Sequence, residues 1–421
     1  MEKTASSGND LLTQNNNKRI SKSVNIEVVM IGLGYIGLPT AALIASKGLH
    51  VTGVDISKEV VNTINKGEIH IVEPDLQGLV HHVVKKGLLQ AATNPIVADV
   101  FLIAVPTPFK GAFQPDISFV ESAVKSIVPM LKPESLVILE STSPVGTTEK
   151  MQQLIFAQRP ELKNKFYMAY CPERVLPGNI IYELEHNDRA IGGINEASTK
   201  KAVSFYKHFV KGDLHETNAR TAEMCKLVEN ASRDVQIAFA NELSMICDKA
   251  GINVWELIKL ANKHPRVNIL QPGTGVGGHC IAVDPWFIVS EFPEESKIIR
   301  SAREVNNYKT QWVIEKIKNK ALAFEIENKR KPVLACMGLA FKPNIDDLRE
   351  SPAVTVVEAL EKEGLQLLKV EPNLYNGRAE GLTECNDAVK HADIIVFLVA
   401  HKEFFQIKTD KIVMDFCGVL R

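Results

Sequence analysis

Cys280 follows directly on Gly273-Thr274-Gly275-Val276-Gly277-Gly278-His279, and a carboxylate, Asp284, stands four residues beyond it. Four glycines in six positions make a backbone that can wrap closely round a ligand and aim its amides inward; Thr274, between the first two, is assigned no role. Most free cysteines are small buried hydrophobes, and Cys171, Cys225, Cys247, Cys336, Cys385 and Cys417 are read that way. At the lip of such a loop a thiolate has a specific use. It adds to an aldehyde to give a thiohemiacetal, which can surrender a hydride and become a thioester. Lys226, Asn230 and Arg233 fall at i, i+4 and i+7 of one helical stretch, a polar row on a largely apolar helix. Taken alone, that row suits a solvated face; beside the Cys280 loop, Lys226 becomes a base or a positive stabiliser of an oxyanion.

A hydride needs an acceptor, and the start of the chain offers one. The apolar run Val28–Ile31 leads into Gly32-Leu-Gly34-Tyr35-Ile36-Gly37, with helical sequence over Pro39–Lys47 behind it. A GxGxxG between strand and helix brings backbone amides and a helix N-terminus up to a pyrophosphate. Asp55 ends the next strand at the offset where a carboxylate accepts the ribose hydroxyls of NAD and repels the 2′-phosphate of NADP. An NAD site with a nucleophilic Cys280 and with Lys226 predicts the four-electron oxidation of a primary alcohol to a carboxylate.

The elements that must hold these groups alternate strand and helix as far as Glu140, which implies a doubly wound parallel sheet of Rossmann type. One long helix is expected from an Asn218 cap to about Ala250, with Gly251 as its stop, followed by helical sequence at Val254–Lys263 and Lys297–Lys320. A polar boundary at Glu325–Pro332 precedes a second, smaller α/β unit. There, Val333–Met337, Leu367–Val370, Ile394–Val399 and Ile412–Phe416 read as strands, and Ser351-Pro352 as a helix start. The expected division is a polar disordered tail over 1–24, an NAD-binding Rossmann-like domain over 25–216, a central helical domain over 217–324 and a second Rossmann-like domain over 325–421.

Composition narrows the function classes. The 421 residues carry 49 Lys and Arg against 50 Asp and Glu, a formal charge of −1, which argues against a nucleic-acid binder built on a basic field. No apolar run approaches the length of a membrane helix. Seven scattered cysteines without a CxxC pair argue against a disulfide framework or a zinc site, and suit a reducing, cytoplasmic setting.

Eight stretches carry a resemblance: IGLGYIGLPTA, GEIHIVEPDL, AVPTPFKG, ESTSPVGTTEK, YCPERVLPG, RTAEMCKLVEN, HPRVNILQPGTGVGGHCIAVDPWF and GLAFKPNIDDLRESPA. Through them the chain resembles the UDP-glucose/GDP-mannose dehydrogenase family over nearly all of its length after residue 25. Within that family it looks most like the bacterial members that act on UDP-N-acetyl-D-mannosamine. The resemblance implies oxidation of that sugar nucleotide to its uronic acid for surface polysaccharide synthesis, with UDP-N-acetylglucosamine or UDP-glucose as alternative substrates. A non-catalytic sugar-nucleotide sensor is the alternative of another class.

By the same resemblance, Cys280 is the nucleophile, Lys226 the general acid/base and Glu173 the residue of thioester hydrolysis, while Thr142, Asn230 and Asp284 position substrate, water or Lys226. NAD contacts fall on Tyr35, Ile36, Asp55, Thr107, Thr142 and Arg349. The sugar nucleotide falls to Arg174, Val175, Lys226, Asn230, Arg233, His264, Arg266, Phe341 and Lys342. The second α/β unit is expected to hold the nucleotide diphosphate, and the chain to form a homodimer or larger assembly with Arg266 reaching a neighbouring site. One departure stands out: relatives carry a basic residue where this chain has Cys417 before Gly418-Val419.

Overall fold

Residues 26–71, 73–111, 113–175, 178–278, 280–374 and 381–420 are described by the computed structural model; the expected tail over 1–24 and His279 lie outside them. The first apolar run forms β1 (Glu27–Ile31), and α1 (Gly37–Ser46) starts two residues earlier than expected, at the last glycine of the turn. Gly37 has to be glycine, because a Cβ there would sit 1.8 Å from the Gly32 carbonyl oxygen. Next, β2 (His50–Val54) ends at Asp55.

Six more strands complete the first sheet: β3 (Leu89–Ala92), β4 (Val100–Ile103), β5 (Leu136–Leu139), β6 (Tyr167–Tyr170), β7 (Arg189–Gly193) and β8 (Leu214–Asn218). Their order is β8-β7-β6-β5-β4-β1-β2-β3. Side chains alternate between two cores, with Val28, Met30 and Leu102 on one face and Val29, Ile31 and Ile103 on the other. The sheet is parallel as expected except at one junction. Here β6 and β7 are antiparallel, with Ala169 opposite Gly193 and Tyr170 opposite Gly192. The chain leaves β6 at the carboxyl edge and re-enters β7 from that same edge, so no crossover returns it to the far end.

The central helices follow. Asn218 caps α3 (Ala219–Ala250), its side chain accepting from the Thr221 amide at 2.9 Å, and Gly251 ends it in the left-handed region at φ 69°. After a shorter helix, Val254–Ala261, come α4 (Asp284–Glu291) and α5 (Lys297–Asn328). α5 runs past Lys320 and through the start of the polar stretch, because Ile317, Ala321 and Phe324 keep their helical spacing on a buried face. Ile317 and Phe324 enter the core of the second unit.

That unit is a four-stranded parallel sheet of β9 (Val333–Met337), β10 (Gln366–Val370), β11 (Ile394–Phe397) and β12 (Ile412–Asp415), in the order β10-β9-β11-β12. The Ser351 side chain caps α6 (Pro352–Lys362) by accepting from the Val354 amide. Among the described residues no helix is long and apolar enough to cross a membrane.

Candidate active site

Lys226 and Asn230 stand one turn apart on α3, and the Asn230 amide donates to Asp284 Oδ2 at 2.6 Å. Asp284 is buried at the first turn of α4. The Cys280 carbonyl accepts from the Val283 and Asp284 amides at 3.0 and 2.8 Å, so the thiol-bearing residue is tied to the start of that helix. Burial pushes the Asp284 carboxyl up to about 6, against the pull of the Lys226 cation and the Asn230 bond. The Cys280 thiol is also pushed up, by burial first and Asp284 second, while Lys226 and Arg349 draw it down. At rest the thiol therefore holds its proton, with two cations placed to favour negative charge once that proton leaves.

The rotation of α3, and with it the direction of Lys226, is set one turn earlier. Glu223 is buried and accepts from the Gly146 amide (2.6 Å), the Thr148 amide (2.8 Å) and the Thr148 hydroxyl (2.6 Å). It thereby caps α2 (Thr147–Gln158) and pins α3 to the first unit. Thr107 and Thr142 are partly exposed at the carboxyl edge. Ser141 ties their segments together, accepting from the Val105 amide at 2.9 Å and donating to the Ile103 carbonyl at 3.3 Å.

The turn after β1 fits a dinucleotide. A Cβ at Gly34 would meet nothing within 4 Å, so the backbone there faces open space. The first turn of α1 carries no acidic side chain to compete for its amides. Asp55 accepts from the Leu33 amide at 3.1 Å and the Ser57 amide at 2.9 Å, one on each oxygen, which leaves capacity for ribose hydroxyls. Tyr35 is exposed beside Ile36, and the Arg349 guanidinium lies over its ring at 5.9 Å. The Arg349 carbonyl in turn accepts from the Gly278 amide at 3.1 Å. Arg349 thus spans the gap between the first glycine turn and the Cys280 loop.

Glu173 is buried at the carboxyl end of β6. It accepts from the Arg174 amide at 2.6 Å and from Arg189 Nη1 at 2.9 Å. The Arg174 guanidinium turns away to Glu229 (2.6 Å) and the Asp188 carbonyl. Sequence reasoning missed Arg189 and the buried groups beside it. The β6–β7 register, carried to the edge, sets Glu173 opposite Arg189, and nothing in the sequence announces that strand direction. In the same pocket the Tyr206 hydroxyl donates to Glu140 at 2.6 Å. Burial pushes Glu140 up to about 7 and the Cys171 thiol up to about 11. Tyr170 is buried as well, its phenol pushed up by burial and then by Glu223 and Asp284.

The remaining expected residues divide. Phe341 packs its ring on Gly278 and its Cβ against Gly277, and Lys342 beside it is exposed. Val175 packs at the edge of the first core. Arg233 is exposed on α3, and His264 and Arg266 are exposed after the helix Val254–Ala261, the Arg266 backbone amide donating a hydrogen bond to His264 Nδ1 at 3.3 Å. Among the described residues, no hydrogen bond or ion pair joins these three to the Cys280 cluster. Thr274 is structural: its hydroxyl donates to the Leu398 carbonyl at 2.6 Å and its carbonyl accepts from Thr310 at 3.1 Å. Cys417 lies in a turn whose amides bond Asp415, and the next residue, Gly418, packs on the Trp255 ring.

Three family models match the chain. They are described as the NAD binding domain (residues 26–210), the central domain (220–308) and the UDP binding domain (335–421) of the UDP-glucose/GDP-mannose dehydrogenase family. The chain is 55% identical over 408 residues to the UDP-N-acetyl-D-mannosamine dehydrogenase of Campylobacter jejuni, covering 93% of this chain and 99% of that one. It is 53% identical over 398 residues to the NDP-N-acetyl-D-galactosaminuronic acid dehydrogenase of Ralstonia nicotianae, covering 91% and 93%. The solved structure of the UDP-D-ManNAc dehydrogenase of Pyrococcus horikoshii matches with a TM-score of 0.84 at 37% identity, covering 94% of this chain and 96% of its own.

Proposed function

We propose that this chain, which belongs to the UDP-glucose/GDP-mannose dehydrogenase family, oxidises the C6 alcohol of UDP-N-acetyl-D-mannosamine to the uronate with NAD as acceptor. The observation that carries the reading is the single cluster of Cys280, Asp284, Asn230 and Lys226, joined through Arg349 to the glycine turn. Gly32, Gly34, Tyr35, Ile36, Gly37, Asp55, Thr107, Thr142 and Arg349 would hold the dinucleotide, whose nicotinamide supplies a hydride acceptor. Lys342 and Phe341, with Arg174, Val175, Arg233, His264 and Arg266, are the residues proposed around the sugar nucleotide.

Lys226, once it has given its own proton to solvent, takes the proton of the C6 hydroxyl as that carbon loses its first hydride, leaving an aldehyde. Cys280 then adds through sulfur, a C–S bond forms, and the thiol proton passes to the carbonyl oxygen. After Lys226 has passed the C6 hydroxyl proton to solvent and a second NAD has replaced the first, the thiohemiacetal loses its hydroxyl proton to Lys226 and its hydride from carbon, becoming a thioester. Water, assisted by Glu173, breaks the C–S bond, releasing the acid and restoring the thiol. The Asn230–Asp284 pair keeps Lys226 and Cys280 in one arrangement through these steps, and Thr142 positions substrate and water.

Among the described residues no two cysteines form a disulfide, which suits a reducing cytoplasm. The apolar side chains of Phe239 and Ile246 on α3 and Tyr308 on α5 are exposed, which supports pairing of two chains through their central helices. Surface polysaccharide synthesis is the proposed use of the product. The Ralstonia relative favours one second reading, the same chemistry on UDP-N-acetylgalactosamine.

The test is a panel of UDP-N-acetyl-D-mannosamine, UDP-N-acetylgalactosamine, UDP-N-acetylglucosamine and UDP-glucose, read by NADH yield, kcat/KM and product mass. Two NADH per nucleotide and a uronate, with the highest kcat/KM on the mannosamine nucleotide, are expected. One NADH with an aldehyde product overturns the mechanism, binding without turnover favours a sensor, and a different preferred sugar overturns the substrate alone.

A further inference from the structure

His401 has no solvent exposure and none of the steps above uses it. It lies four residues beyond the end of β11, yet its two nitrogens reach the turns after β9 and β10. Nδ1 lies 2.9 Å from the Asn344 amide and 2.9 Å from Asn373 Nδ2. A backbone N–H can only donate, so Nδ1 is the acceptor and the ring proton sits on Nε2, 3.0 Å from Glu371 Oε2. That same carboxylate oxygen accepts from the Leu339 and Ala340 amides at 2.7 and 2.9 Å. Burial raises the Glu371 carboxyl, but the His401 bond and these amides outweigh it and hold the group below its usual range. One imidazole therefore grips the 338–344 turn at both ends. The first end it holds through Glu371, and the second directly at Asn344, a left-handed residue at φ 62°.

The fit is close on the other side as well. A Cβ at Gly338 would lie 2.6 Å from Val399 Cβ and 3.1 Å from the His401 ring. Between the two gripped ends stand Phe341 and Lys342. The Phe341 ring is so close to Gly278 that a Cβ there would lie 2.9 Å from it, and Gly278 is two residues from Cys280.

We propose that His401, acting through Glu371 and Asn344, is a positioning residue that sets Phe341 and Lys342 to receive a nucleoside diphosphate in register with Cys280. This rests on the reading that places the nucleotide at Lys342. It gives His401 no contact with the reacting atoms.

The test uses the full chain with UDP as the probe. His401→Asn keeps an acceptor near Asn344 and loses the donor to Glu371, whereas His401→Gln can keep that donor and lose the acceptor. Each is expected to weaken UDP binding by about fivefold or more. Each should raise the KM of the sugar nucleotide, with kcat at saturation and NAD affinity unchanged. Glu371→Gln, an isosteric change, carries the same expectation and serves if a His401 variant fails to fold. Lys342→Ala separates the levels. If it binds UDP as the parent does, the underlying placement of the nucleotide is overturned. If it weakens binding while the His401 variants do not, the proposal alone falls. A parallel loss of NAD affinity in the His401 variants, the mark of a general structural role, overturns it too.

Discussion

Asp55 and Glu371 hold the same place in the two α/β units: each ends the second strand and accepts amide protons from the turn after the first. Around Asp55 the turn closes with Gly37, and α1 starts there, so the turn leads straight into a helix N-terminus. Each Asp55 oxygen takes one amide, and the residue is partly exposed. Around Glu371 the arrangement is filled in. One oxygen takes Leu339, Ala340 and His401, the other the Asn373 amide and side chain, and the residue is buried. No helix follows this turn directly; α6 begins only at Pro352, after the segment that carries Phe341, Lys342 and Arg349. A carboxylate has about four acceptor sites, and those of Glu371 are spent on its own turn. What separates the proposed ribose site at Asp55 from the structural brace at Glu371 is thus the acceptor capacity left over, in two turns of related design.

The most severe way to test that contrast is Gly37→Ala. Its Cβ would press on a backbone carbonyl, which no side-chain rotation relieves. NAD binding, measured by calorimetry, should weaken by about a hundredfold or more, with UDP binding retained. If NAD affinity survives, the first turn is not the dinucleotide site. A milder test is Asp55→Asn, which keeps the shape, removes the charge and turns one acceptor into a donor. NAD affinity should fall about tenfold and NADP affinity much less. An unchanged NAD to NADP preference would show that Asp55, like Glu371, serves only its own turn.

How legible these features are in the sequence differs by cause. Asn218 and Gly251 mark the ends of α3 because capping and left-handed closure depend on single local residues, and Ser351-Pro352 marks α6 for the same reason. Cys280 and Asp284 declare themselves by local spacing. The end of α5 does not, since Glu325–Asn328 suits an exposed helical turn as well as a linker. Glu173 is visible as a motif residue, but its partner Arg189 depends on the one antiparallel junction, a property of the assembled sheet. The Glu371–His401 brace joins groups 30 positions apart on different segments, and neither neighbourhood hints at the other. Arg233, His264 and Arg266 stand exposed, so their roles rest on resemblance rather than on contacts.

The last effect, on stability rather than binding, concerns a second pair of carboxyls, Glu140 in the first unit and Glu371 in the second. Both are buried, yet burial prevails at Glu140, which is pushed up to about 7, while its many donors hold Glu371 low. Glu140 receives one bond from Tyr206, and among the described residues its other oxygen has no hydrogen-bond partner. The sign follows from linkage. A folded chain that keeps the Glu140 proton up to about 7, where the unfolded chain has lost it at the ordinary glutamate value, gains stability in acid and loses it as pH rises through 7. Glu140→Gln keeps an acceptor for Tyr206 and cannot ionise, so it should match the parent near pH 5. By pH 8 it should be the more stable form by roughly 2–3 kcal/mol. Urea denaturation at the two pH values reads the difference. Should the parent be the more stable at pH 8, Arg189 stabilises an ionised Glu140 as well as Glu173, and the contrast between a starved and a saturated carboxylate fails.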